Sequence, residues 1–210
     1  MTLRVQGTTG EVVLTIPSRA SLAAAQGFVD QQAGWIATRR ARLPDRVPLS
    51  PGETIPLRGE PHLIVHDLSV RSRTTLGRTP CGPPTITVGG TPEATAGRIR
   101  RFLGKEAAID LGKSVETYAG RLGVDVARVT LRDTRSRWGS CSSRGTLSFS
   151  WRLILAPPVV LDYLAAHEVA HLVELNHSAR FWKTLRDVCP GTDEAETWLK
   201  RHGSGLHRYG

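Results

Sequence analysis

Residues 167–177 read HEVAHLVELNH, and this stretch restricts what the surrounding chain can be. On an α-helix, His167 and His171 stand one turn apart on one face, so both imidazoles can reach a single metal ion. Zinc takes such nitrogens at about 2.0–2.1 Å, and a catalytic site combines three protein ligands with one open position for water. Glu168 lies a further ~100° round the helix. There it misses the ion and meets the activated water as general base. The third ligand is decided by distance. Glu174 shares the histidine face but stands about 10 Å from His167 along a straight helix. His177 would stand about 15 Å away if the helix ran on, so it serves only if the helix ends first. Asn176 tolerates the left-handed conformation found at helix ends, and a stop near Leu175 is the expectation. The residues thus read as a zinc site of His167, His171 and His177, with Glu168 as base.

The rest of the chain is read for what would hold such a helix. LRV at 3–5 and EVVLTI at 11–16 suggest paired strands around TTG, and a helix is expected from Ser21 to about Leu43. IPLRGEPHLIVHDL at 55–68 reads as a hairpin about Gly59. Residues 77–92 are rich in Gly and Pro around the short strand TITV, and are the expected boundary between parts 1–90 and 91–210. A helix follows over 93–122, with Ile99, Phe102, Leu103, Ile109 and Tyr118 as core candidates. RVTLRD (128–133) and GTLSFSW (145–151) then read as strands flanking the loop TRSRWGSCSSR. Pro157 and Pro158 open the histidine helix, Ser178 caps ARFWKTLRDV, and a last helix spans about 193–202. This order predicts an α+β protein: an amino-terminal strand-rich subdomain and a catalytic half.

Charge and cysteines narrow the setting. The net charge is +9, and nearly all of the basic residues are arginine. Arg128, Arg132, Arg135, Arg137, Arg144 and Arg152 crowd one stretch and suggest contact with nucleic acid or nucleotide. No apolar run approaches the ~18 residues of a membrane span. The start, MTLRVQGTTGEVV, lacks an apolar stretch after a basic lead, so a cytoplasmic location is expected. Cys81, Cys141 and Cys189 form no CxxC pair, which argues against a disulfide framework. Cys141 is expected as a buried thiol. In the RWGSC loop, Arg137 and Trp138 are candidate substrate contacts, and the strand after it offers an edge to an extended peptide. Tyr163, one turn before His167, supports a ring or polarises a carbonyl. His62 and His66 share one strand face and are expected to face solvent, while Phe181, Trp182 and Trp198 are expected in the core.

The run RSRWGSCSSRGTLSFSWRLILAPPVVLDYLAAHEVAHLVELNHSARFW resembles the YgjP-like metallopeptidase family, a zincin-like group related to the minigluzincins. The likeness is dense from about Arg98 to Leu199 and looser through TIPSRAS, GWIATRRARL and PGETIPLRGEPHLIV. It implies a zincin-like fold for the catalytic half, His167, His171 and His177 as zinc ligands, and Glu168 as catalytic base. One departure is Ser150, where the family usually has Asn. The spacing of histidines and the following FW also resemble DNA-repair proteases of the SprT and WLM type, which act on proteins attached to DNA.

Three readings of function follow. The first is a zinc metallopeptidase acting on peptides or unfolded protein. The second is a UTP pyrophosphatase, a label the resembled family also carries; the absence of GxxxxGK[ST] and of a carboxylate cluster for magnesium weighs against it. The third is a DNA-associated protease or a basic nucleic-acid-binding module with a structural metal, a role that usually closes the site with a fourth ligand.

Overall fold

The computed structural model describes residues 1–6, 10–41, 45–70, 73–78, 82–134 and 136–210. Cys81, Arg135 and the expected end of the first helix lie outside them. The chain packs as two units, Met1–Arg46 and Val47–Gly210, so the Gly/Pro-rich stretch 77–92 falls within the second.

In the first unit, β1 (Thr2–Val5) pairs antiparallel with β2 (Val12–Thr15). The single helix expected next is two, α1 (Leu22–Gln31) and α2 (Ala33–Ala41). Ser21 caps α1, its side chain accepting from the Ala24 N–H at 3.2 Å. The interruption falls at Gln32, whose N–H turns back to Val29 O and Asp30 O, within DQQAG, a stretch with no large apolar side chain. Within α1 only Ala25 is buried, and α2 buries nothing.

The second unit begins with the expected hairpin, β3 (Thr54–Leu57) and β4 (Glu60–His66). Its two-residue loop has φ of 53° at Arg58 and 80° at Gly59, the mirror-image turn whose twist suits a hairpin. Next come β5 (Thr74–Arg78), which the sequence reading missed, and β6 (Pro84–Val88), in a sheet ordered β3-β4-β6-β5. His62 and His66 do not face solvent. Both turn inward with Ile64 and bond backbone carbonyls, Glu60 O at 2.8 Å and Gly90 O at 2.5 Å.

Helix α3 (Thr95–Leu122) lays Ile99, Leu103, Ala107, Leu111, Val115 and Tyr118 along one buried stripe and ends at Gly123, φ 64°. Ile109, expected in the core, is half exposed because it lies off that stripe. Burying six such side chains stabilises the unit by roughly 1.5–3 kcal/mol for each large one. The second sheet is ordered β7-β9-β8, from β7 (Arg128–Arg132), β8 (Gly139–Cys141) and β9 (Thr146–Ser150). Part of the expected loop is therefore strand. The free edge beside it belongs to β8, while β9, read as an edge, is central.

Ser150, in the place where Asn was anticipated, accepts from the Arg152 N–H and caps a 3-10 turn over Trp151–Leu155. That turn leads into α4 (Pro158–Ala170), followed by α5 (Ala179–Val188) and α6 (Thr192–His202). The hairpin tip steadies this approach. The N–H groups of Arg58 and Gly59 donate to Ile154 O (2.7 Å) and Leu155 O (3.3 Å), and Gly59 lies against Pro157. The Arg58 guanidinium pairs with Glu106 at 2.8 Å and Asp110 at 2.7 Å on α3. The mixture of sheets and helices is the α+β class expected.

Candidate metal centre

Helix α4 is apolar almost all round, because α3, α5, α6 and β8 pack against it. Asp162 and Tyr163 lie midway along it, and His167 and Glu168 lie at its carboxyl end. The helix stops at Ala170, five residues before the stop expected from the sequence. Tight bonds from Leu172 and Val173 N–H to Val169 and Ala170 O close it, and Glu174 N–H also donates to Ala170 O. Arg58 is the sole non-glycine with positive φ among the described residues, so Asn176 turns the chain without the left-handed conformation. The turn brings His177 back under the helix end.

The outcome is a cluster. One ligand atom from each of His167, His171 and His177 lies within 4.8 Å of the others. His167 Nε2 and His177 Nε2 are 3.1 Å apart. Nitrogens bound tetrahedrally to zinc at ~2.0–2.1 Å are about 3.3 Å apart, so the spacing fits that ion. The far ring atoms are engaged: His167 Nδ1 lies 3.4 Å from the Tyr163 hydroxyl, and His171 Nδ1 lies 3.1 Å from Glu174 O. A proton on each Nδ1 would leave Nε2 with its lone pair toward the cluster, the tautomer that metal-binding histidines are held in. Burial first, then the neighbouring rings, push His167 down to about 4; burial likewise lowers His171. Neutral imidazoles with free lone pairs are what a divalent cation needs.

Glu174 is kept away by another bond. Its carboxylate pairs with Arg180 at 2.7 Å, and only its carbonyl serves the cluster.

Glu168 is buried, 5 % exposed. Burial pushes its carboxyl up to about 7, partly offset by the positive charge of Arg137. Gly139 of β8 stands directly against it: a side chain there would meet Glu168 Cγ and Cδ at 2.8 Å. Nothing in the sequence marks Gly139 for this role. Its proximity to Glu168 appears once β8 is packed on α4.

Other residues singled out from the sequence divide. Tyr163 is buried beside His167, and burial raises its hydroxyl well above the ordinary range. Arg137 is exposed, but its charge is felt at Glu168. Trp138 is half-buried and stacks on His207, centroids 4.7 Å apart. Arg128, Arg132 and Arg144 are exposed around the second sheet, whereas Arg152 is buried against Asp133 at 3.0 Å and donates to Tyr209 O. Phe181 and Trp182 do more than fill the core. Phe181 stacks on His171 at 4.6 Å and meets His167 and His177 edge-on, while Trp182 stacks on His177 at 5.9 Å. Ser178, accepting from the Phe181 N–H at 3.3 Å, starts α5 so that both rings form this wall.

The family model described as YgjP-like, metallopeptidase domain, matches residues 1–202. The chain belongs to the YgjP-like family. In this YgjP-like chain the matched region includes the histidine cluster, Glu168 and the β8 strand. No curated protein matches the chain. Among solved structures, the metallopeptidase zymogen of Pyrococcus abyssi abylysin is similar, at 24 % identity and a TM-score of 0.41. That likeness covers 47 % of this chain and 97 % of the abylysin chain. No helix of the YgjP-like chain, among the described residues, is long and apolar enough to cross a membrane.

Proposed function

We propose that the chain is a zinc metallopeptidase that cleaves peptide bonds in unfolded protein or peptides. The observation that carries this reading is the meeting of three imidazoles beside a buried carboxylate. His167, His171 and His177 would hold zinc, which supplies Lewis acidity to a carbonyl and acidifies a water molecule. Glu168 takes a proton at its carboxylate and delivers it to the leaving amine. Burial raises the carboxyl above its ordinary value and so makes the carboxylate a better proton acceptor. Gly139 leaves room for the carboxylate, and Arg137 keeps it accessible to deprotonation near neutral pH. Strand β8 lies at the edge of its sheet and its Gly139 rests against Glu168, so an extended peptide adding to β8 would lie near the carboxylate. Arg137 and Trp138, at the start of this strand, are candidate substrate contacts.

The test compares wild type with Glu168→Gln for bound zinc and for hydrolysis of unfolded protein and of UTP. Retained zinc with lost proteolysis supports the proposal. Loss of UTP cleavage alone identifies a nucleotide pyrophosphatase instead, and unchanged activity removes Glu168 from the chemistry.

A further inference from the structure

Helix α3 carries charge on two sides, and the two are treated differently. Toward the hairpin tip, Glu106 and Asp110 are paired with Arg58. On another side Arg98, Arg101 and Lys105 follow one another, and Arg73, just before β5, joins them. With Thr74, Thr75 and Phe102 they line a groove of about 410 Å³ between β5 and α3. Among the described residues lining it there is no carboxylate. Like charges three and four positions apart weaken a helix, and cations within a Debye length repel. The arrangement presents a concentrated positive charge to an entering anion.

The groove is also partly fixed. The Arg98 guanidinium donates to Gly89 O and fills the place where a side chain on Gly90 (φ 93°) would stand. Gly89 N–H donates to Arg73 O at 2.9 Å, so one glycine ties together the two arginines. Phe102, half-buried, gives an apolar wall that a bare anion does not use. The volume is that of a small-ligand site. It shares no lining residue with the histidine cluster.

We propose that this groove binds a nucleotide unit, free or within a single strand, with phosphate on Arg73, Arg101 and Lys105 and the base against Phe102. Arginine forks match phosphate oxygens, and an aromatic face accepts any base. The sequence pointed to nucleic acid through Arg128, Arg132, Arg135, Arg137 and Arg144; the groove places the contact on the other sheet. It stands whether or not the histidine cluster is a peptidase centre.

The test is fluorescence anisotropy of a labelled oligothymidylate of about twelve nucleotides, with UMP, UTP and inorganic phosphate as competitors. Arg101→Glu combined with Lys105→Glu is expected to weaken binding about tenfold or more near 100 mM salt and to flatten the salt dependence. Arg128→Glu with Arg132→Glu changes it less than about threefold. Competition by UMP or UTP marks a free nucleotide, and its absence marks a strand; either supports the site. The proposal is overturned if wild type does not bind the labelled strand, if the β7 pair costs as much as the α3 pair, or if phosphate displaces the strand and does so as readily as UMP. Melting temperature and bound zinc confirm folding, and Arg101→Gln with Lys105→Gln gives a milder pair should charge reversal unfold the protein.

Discussion

Gly139 and Glu168 face each other so closely that a methyl group on the glycine would stand 2.8 Å from Glu168 Cγ and Cδ. A three-residue strand therefore fixes where the carboxylate of the HExxH segment rests. Gly139→Ala should displace that carboxylate by a fraction of an ångström to an ångström, and misplacement on that scale costs about 100-fold in rate. The expected result is a matching loss of kcat/KM for an unfolded-protein substrate with zinc content unchanged. Wild-type activity in the variant would separate β8 from the chemistry.

His177 and Glu174 offer opposite outcomes from neighbouring positions. His177 Nε2 is 3.1 Å from His167 Nε2, whereas the Glu174 carboxylate is on Arg180. His177→Ala should reduce zinc affinity by more than the about 10–100-fold that follows loss of an outer hydrogen bond. Glu174→Gln should leave it close to wild type, because the carbonyl that bonds His171 is retained. Competition with a chromogenic chelator reads both.

Gly59 gives a stability prediction away from the cluster. Its φ is 80°, and a side chain there would press on Pro157 at 3.1 Å. The left-handed conformation alone costs a non-glycine residue about 1–2 kcal/mol. Gly59→Ala should lower the melting temperature accordingly, with Arg58 still bonded to α3. An unchanged melting temperature would mean that the tip does not brace the approach to α4.

The Cys141 thiol is pushed up first by burial and then by the negative charge of Glu168. Since the thiolate is the reactive form, alkylation by iodoacetamide at pH 8 should be slower than for a free cysteine and rise with pH across that range. Glu168→Gln removes the second cause, lowers the thiol pKa, and should speed the reaction. Peptide mass mapping assigns the modified cysteine, and a rate insensitive to the substitution would contradict the coupling.

The division of the chain predicts a difference between fragments. Residues 47–210 form one compact unit, and its hairpin tip binds the turn before α4. A fragment 47–210 should fold cooperatively. One comprising 91–210, cut at the Gly/Pro-rich stretch, should lack near-ultraviolet ellipticity because Ile154, Leu155 and α3 lose their partners.

The histidine spacing was legible because a helix converts four residues into one turn, and distance alone removed Glu174. The return of His177 was legible as a requirement, but its route was not. The helix closes at Ala170 through tight backbone bonds rather than through Asn176, and such bonds have no side-chain signature. Strand β8 was hidden for a similar reason: GSC is three residues long and too short to show alternation. Phe181 and Trp182 were visible as apolar residues. Their stacking on the histidines depends on where Ser178 starts α5, which only the folded chain reveals.

The Arg58 turn also bears on when the cluster takes shape. Its side-chain partners lie 48 and 52 positions further along the chain, and its backbone partner Ile154 lies further still. Closing loops of that length is entropically unfavourable before other contacts exist, and topologies rich in distant contacts fold slowly. A growing chain can wind the start of HEVAHLVELNH into helix early and still lack the support that aims its rings. On the proposed function, hydrolytic competence then tracks the latest steps of folding, and partly folded chains carry the motif without the chemistry.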